Sequence, residues 1–163
     1  MRSEFRTSIL EHDRFMVVLW LHTEVEPPAT EWASTVKRLG ELRRTQKLPV
    51  SLIRQLVVSD GGGPGAVQRQ QILDDFHDGM PSPVAVITHV LSNPVKRGMA
   101  TALTWINPHV RFYEPSEFSK ALEYLELTQS RKAIWREFHR LEGQLKPARA
   151  LRLMKRQALH ESS

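Results

Sequence analysis

Cysteine is absent from the 163 residues. Disulfide staples, thiolate metal ligands and thiol nucleophiles are therefore excluded. Long apolar runs are missing too. The longest near the start, Phe15 to Leu21, is far too short to span a bilayer. The opening Met1 to Thr7 carries Glu4 and has no apolar core of signal-peptide length. These absences lead us to expect a cytoplasmic protein. No paired-histidine spacing or carboxylate cluster suits a metal, since Asp74, Asp75 and Asp78 read as a solvated helix end. We therefore expect neither metal nor cofactor. No repeat of 20–50 residues is visible.

What is present is ordinary for a globular chain: 40% apolar and 25% charged residues, enough for one domain and an appendage. The net charge of +5 is unevenly placed. Residues 1–127 hold 14 Lys/Arg against 15 Asp/Glu, while residues 128–163 hold nine against three. Basicity is a property of the tail, so any inference from charge to nucleic acid or membrane concerns the tail alone.

Residues 4–10 alternate loosely, meet the turn signal His12-Asp13, and lead into the apolar run Phe15–His22. Two such runs predict a β-hairpin with the second strand more buried. Thr30 is placed to cap a helix from Glu31 whose inner face is Trp32, Val36, Leu39 and Leu42 or Arg43. A strand over Leu52–Ser59 comes next, then Asp60, Gly61, Gly62, Gly63, Pro64 and Gly65. A helix from about Pro64 to His77 is expected to bury Val67, Ile72, Leu73 and Phe76, ending at Asp78-Gly79. Val84–His89 reads as a buried strand, and Ser92 or Asn93 with Pro94 opens a helix with Val95, Met99, Ala102, Leu103 and Ile106 inside. His109–Tyr113 is a short last strand, and Pro115–Glu117 opens a helix with Phe118, Ala121, Leu122 and Leu125 inside. The order β-β-α-β-α-β-α-β-α predicts an α/β fold: a mostly parallel sheet of about five strands, covered by helices, with an antiparallel edge.

From residue 128 the pattern changes. Ile134, Phe138, Leu141 and Leu145 recur at helical spacing with Trp135 beside them, amid Arg131, Lys132, Arg136 and Arg140. Pro147 interrupts, and Leu151, Met154 and Ala158 form a second stripe. The reading is a domain over 1–127 and a basic amphipathic helical tail over 128–163. The stripe suits packing on the domain, on a second copy or on a partner protein. Contact with nucleic acid or an anionic membrane is the weaker reading, because Glu137 and Glu142 interrupt the charge and the interleaved aromatics are only Trp135 and Phe138.

The glycine turn is the main site candidate. A strand running into such a turn and then a helix aims backbone N–H groups at an anion or a carboxylate. The bland alternative is glycine used for positive φ and close packing. The turn is neither a P-loop, since no Lys-Ser/Thr pair comes after it, nor a GxGxxG fingerprint. The loop carrying Asn93, Lys96 and Arg97 would emerge at the same edge of a parallel sheet. A hydrolase reading with Ser59, Asp60, His22 and His89 is weaker, because Ser59 precedes the glycines and makes no GxSxG elbow.

The opening hairpin, the Ser59-Asp60-Gly61-Gly62-Gly63 loop before a helix at Pro64, the strand Val84–His89, a helix ending in Trp105-Ile106, and the closing segment from Phe112 through Phe118 to Leu122 together resemble STAS-like domains. These are the fold of anti-sigma-factor antagonists and of regulatory modules on some transporters. The resemblance covers roughly residues 3–127. It implies a non-enzymatic regulatory or scaffold module that docks a protein through Ser59, Asp60, Gly61, Gly62, Gly63, Gly65, Asn93, Lys96 and Arg97. In signalling members a hydroxyl at the start of the helix after the central strand is phosphorylated. Here Asp60 to Ala66 contains no hydroxyl, so that switch is not expected. The alternative for the same edge is a small-ligand, nucleotide or anion sensor.

Overall fold

The structure is a computed structural model describing residues 4–80, 86–93, 109–145, 150–152 and 154–156. It is a mixed α/β fold. Strands β1 (Phe5–Leu10) and β2 (Met16–His22) pair antiparallel. β3 (Ile53–Ser59), β4 (Val86–Leu91) and β5 (Val110–Tyr113) then add in parallel, giving the order β1-β2-β3-β4-β5. Every residue of β2 and β3 is buried. That explains why β2 reads as a continuous apolar run rather than an alternation.

Alternate residues of these two strands feed two separate cores. Met16, Val18, Trp20, Ile53 and Val57 face α1 (Ala29–Thr45), where Trp32, Val36 and Leu39 meet them, and Phe76 closes the cluster. α1 starts one residue before Thr30, with Pro28 as its N-cap: the Trp32 N–H donates to the Pro28 carbonyl at 2.9 Å. Proline supplies a fixed φ there, and no side-chain cap is made.

α2 (Ala66–Gln71) starts two residues later than Pro64, with Gly65 as N-cap, and ends in a π turn at Ile72–Phe76. The inner face is corrected, because Gln68, Ile72 and Phe76 recur every four residues and share one side of the segment, with Val67 off it. Val67, expected inside, is 76% exposed, and Gln68 is buried in its place. Gln68 satisfies its amide by donating to the Pro27 carbonyl (2.7 Å) and accepting from the Gly65 N–H (3.0 Å), while its own backbone carbonyl accepts from the Trp32 indole (3.0 Å). Asp78 and Gly79 terminate the segment with positive φ, 55° and 70°. The helix expected after Pro94 lies outside the described residues.

The opposite face of the sheet decides the role of the tail. Val17, Leu19, Leu21, Leu56, Val58 and Val90 point there. α3 (Phe118–Tyr124) covers part of this surface with Phe118, Ala121 and Leu122. The rest is covered by α4 (Arg131–Glu142) and the chain beyond it: Ile134, Phe138, Leu141, Leu145, Ala150, Leu151 and Met154 join the same core. The division at residue 127 is thus corrected, because one core spans it. Ile134, Phe138, Leu141 and Leu145 are fully buried against the chain's own strands, and Trp135 stands edge-on to Phe118 at 4.8 Å. They are not a surface for a second molecule.

Burial of this kind sets an expectation. Phe138→Ala should cost about 3–5 kcal/mol, the range for emptying a buried aromatic site. A chain cut after Leu127 should lose its cooperative melting transition, monitored by near-UV circular dichroism. A truncated protein with a sharp transition would refute the shared core.

Candidate docking site at the carboxyl edge

β2, β3 and β4 run parallel, so the loops leaving them emerge along one edge. Backbone bonds stitch these loops together. Asp60 N–H donates to the His22 carbonyl (3.2 Å), Gly62 N–H to the Thr23 carbonyl (2.9 Å), and Ser92 N–H to the Ser59 carbonyl (3.1 Å). The Ser59 hydroxyl donates to the Gly62 carbonyl at 2.5 Å and accepts from the Gly61 N–H at 2.9 Å. Its proton is therefore directed at a backbone carbonyl of its own turn. Asp60 joins three segments, since Oδ1 accepts from the Ser92 hydroxyl (2.7 Å) and from the Ala150 N–H (2.9 Å).

The glycines divide by what surrounds them. Gly61 has φ 113°, a conformation side chains rarely adopt. A Cβ on Gly62 would lie 2.4 Å from the Thr23 carbonyl oxygen and 2.5 Å from that of Val25. Gly63 has nothing within 4 Å of such an atom and faces open space. The N–H groups of Gly61, Gly62 and Gly65 are taken by Ser59, Thr23 and Gln68 respectively. Pro64 has none, so most of the backbone donors of this turn are already engaged within the chain or absent. What remains is a shape flanked by exposed apolar side chains, Val25 (46% exposed) and Val67.

Of the expected site residues, the structure brings Ser59, Asp60, Gly61, Gly62, Gly63 and Gly65 into this turn, with Asn93 half-buried just after β4. Lys96 and Arg97 lie outside the described residues, as does the His89 side chain. The His22 ring is stacked with Phe5 and Trp20, at centroid distances of 5.8 and 6.1 Å. Val25, Val67 and Ala150 were not among the expected residues. The spacing of Gln68, Ile72 and Phe76 by four is the signal that would have turned Val67 outward. Among the described residues no group of three or more metal-ligating side chains gathers, and no helix is long and apolar enough to cross a membrane.

A second polar feature lies beneath α1. The Trp20 indole donates to Gln55 Oε1 at 2.9 Å, so the Gln55 amide nitrogen faces His77 Nε2 at 3.2 Å and donates to it. That fixes the proton of His77 on Nδ1. Burial, and secondarily the Arg43 charge, lower the His77 pKa from 6.5 to about 4, against a smaller opposing pull from Asp78. The Arg43 guanidinium in turn binds Asp78 and holds its carboxyl below the usual range.

Comparison with protein-family models, with curated proteins and with solved structures returned no match.

Two outcomes are expected from this geometry. Gly62→Ala should destabilise by about 1–3 kcal/mol through its backbone clash, whereas Gly63→Ala should be neutral or slightly stabilising; urea unfolding separates them, and equal effects would contradict the packing described. For His77, the unfolded chain takes up a proton below pH 6.5 and the folded one only near pH 4. Stability contributed by the neutral form is fully present above 6.5 and declines as pH falls through this window, by roughly 3 kcal/mol in all. His77→Gln should flatten that portion of the stability–pH curve. An unchanged slope would remove His77 as its source.

Proposed function

We propose that the chain is a non-enzymatic regulatory or scaffold protein with a five-stranded STAS-like domain, which binds a partner protein through the glycine turn and the start of α2, without a phosphorylation switch. Supporting the family reading are the antiparallel opening pair and the parallel additions in sequence order. The observation that carries the docking role is the turn itself. Its hydroxyl, its carboxylate and three of its N–H groups are engaged within the chain, while Gly63 and Val67 face outward. A turn with these polar groups already engaged and an apolar side chain outward is suited to shape recognition. The tail enters this reading as a wall of the domain, with Ala150 tied to Asp60 behind the docking face.

Gly63→Glu and Val67→Asp alter only outward positions, so circular dichroism should be unchanged. Affinity purification with mass spectrometry from the native host should recover a partner with the parent chain and lose it with both variants. Recovery of the same partner by both variants would sink the proposed face. A thermal shift with nucleotides or inorganic phosphate would favour the sensor instead, because a ligand at 100 times its dissociation constant adds roughly 2.7 kcal/mol.

A further inference from the structure

β1 is an edge strand, and its outer side opens into a groove of about 720 Å³ between α1 and α4. The Thr23 N–H donates to the Glu4 carbonyl at 3.0 Å, which identifies that pair as a bonded one of the antiparallel ladder. By alternation Arg6–Leu21 and Ser8–Leu19 are bonded pairs as well, and the backbone groups of Thr7 and Ile9 turn outward. Among the described residues, no backbone group beyond the β1–β2 ladder bonds to Thr7 or Ile9. Ile9 is also 38% exposed, and half-buried Leu42 lines the α1 wall of the groove.

The charges of this groove choose between occupants. Arg6, Arg38 and Arg140 line it against one acid, Glu31. Arg6 crosses the edge to bind Glu31 at 2.8 Å, and Arg140 is paired with Glu137 at 2.5 Å. Arg38 is exposed, with no ion pair among the described residues. Two copies pairing edge to edge would bring together three guanidiniums from each against two carboxylates from each, and the excess of like charge opposes that arrangement. An acidic strand meets the opposite situation. A surface ion pair such as Arg6–Glu31 is weak enough to yield to an incoming carboxylate.

We propose that this edge accepts an extended acidic segment of a partner protein as an added strand, with its backbone on Thr7 and Ile9, a carboxylate on Arg38, and apolar side chains on Ile9 and Leu42. This is strand addition, in which main-chain bonds provide affinity and alternate side chains provide selection. The surface is separate from the glycine turn and does not depend on its role.

The test uses the full chain and a capped six-residue peptide, matched to β1, that carries Val and Glu on one face and Thr at the alternate positions, with the Lys-for-Glu peptide (Val–Lys) as control. At about millimolar peptide, the Val–Glu form should slow amide hydrogen exchange at Thr7 and Ile9. Arg38→Glu should weaken that binding at least about tenfold, and Thr7→Pro, which removes an outward N–H, should abolish it. Arg38 is exposed, so its variant decides the matter even where Thr7→Pro disturbs the fold. Unchanged exchange at both amides would overturn the proposal, as would equal protection by the Val–Lys peptide. So would a free protein that sediments as a dimer and is dissociated by Thr7→Pro, since the occupant would then be a second copy. Partner capture through Val67 is read separately, so failure here leaves the glycine turn untouched.

Discussion

Burial of β2 and β3 on both faces is the constraint on which the other features of the molecule depend. At about 25 cal/mol for each Å² of apolar surface, leaving the face opposite α1 in water would remove several kcal/mol of stabilisation from Leu19, Leu21, Leu56 and Val58 alone. Strands added in sequence order place α1 and α2 on one face, where Trp32, Val36, Leu39 and Phe76 meet the sheet. The other face must be covered by chain that comes after the last strand. This is why α3, α4 and residues near 150 carry apolar stripes, and why the stripe of α4 ends against Leu19 rather than at a dimer interface.

The same constraint reaches the carboxyl edge. Covering the second face brings Ala150 beside the glycine turn, where its N–H meets Asp60, 90 residues earlier in the chain. Asp60 thereby fastens the turn to both the exit of β4 and the tail. A turn held by bonds from three directions would lose little conformational freedom on meeting the proposed partner, and preorganisation of this kind favours affinity without added contact area. Asp60, read from sequence as a candidate ligand- or partner-binding residue, turns its Oδ1 to the chain's own Ser92 and Ala150.

Much of the architecture was legible in the residues. The Phe15–His22 run, the Trp32/Val36/Leu39 spacing and the break between Ser59 and Gly65 each pointed to the element found. Periodicity failed where it is silent by nature: it tells that the α4 face is buried, not against what. The inner face of α2 differs from the apolar pattern because the buried positions Gln68, Ile72 and Phe76 are spaced by four and begin with a polar residue, while apolar Val67 lies on the other side. Within the site, the positions of Ser59 and Asp60 were visible in advance. Their use was not, because Thr23, Ser92 and Ala150 come from distant segments, and only the folded sheet brings those groups within hydrogen-bond reach.

Two margins of the sheet, the carboxyl edge and β1, are handled differently, and the difference bears on the functions proposed for them. At the carboxyl edge the loops satisfy one another and leave apolar side chains outward. Along β1 the backbone itself remains outward, and protection comes from charge: Arg6 lies across the strand and Arg38 stands beside it. Positive side chains on an edge discourage pairing with an identical edge while leaving it open to a strand of opposite charge. An edge guarded this way is selective rather than closed, and the acidic partner strand is the case its guard does not exclude.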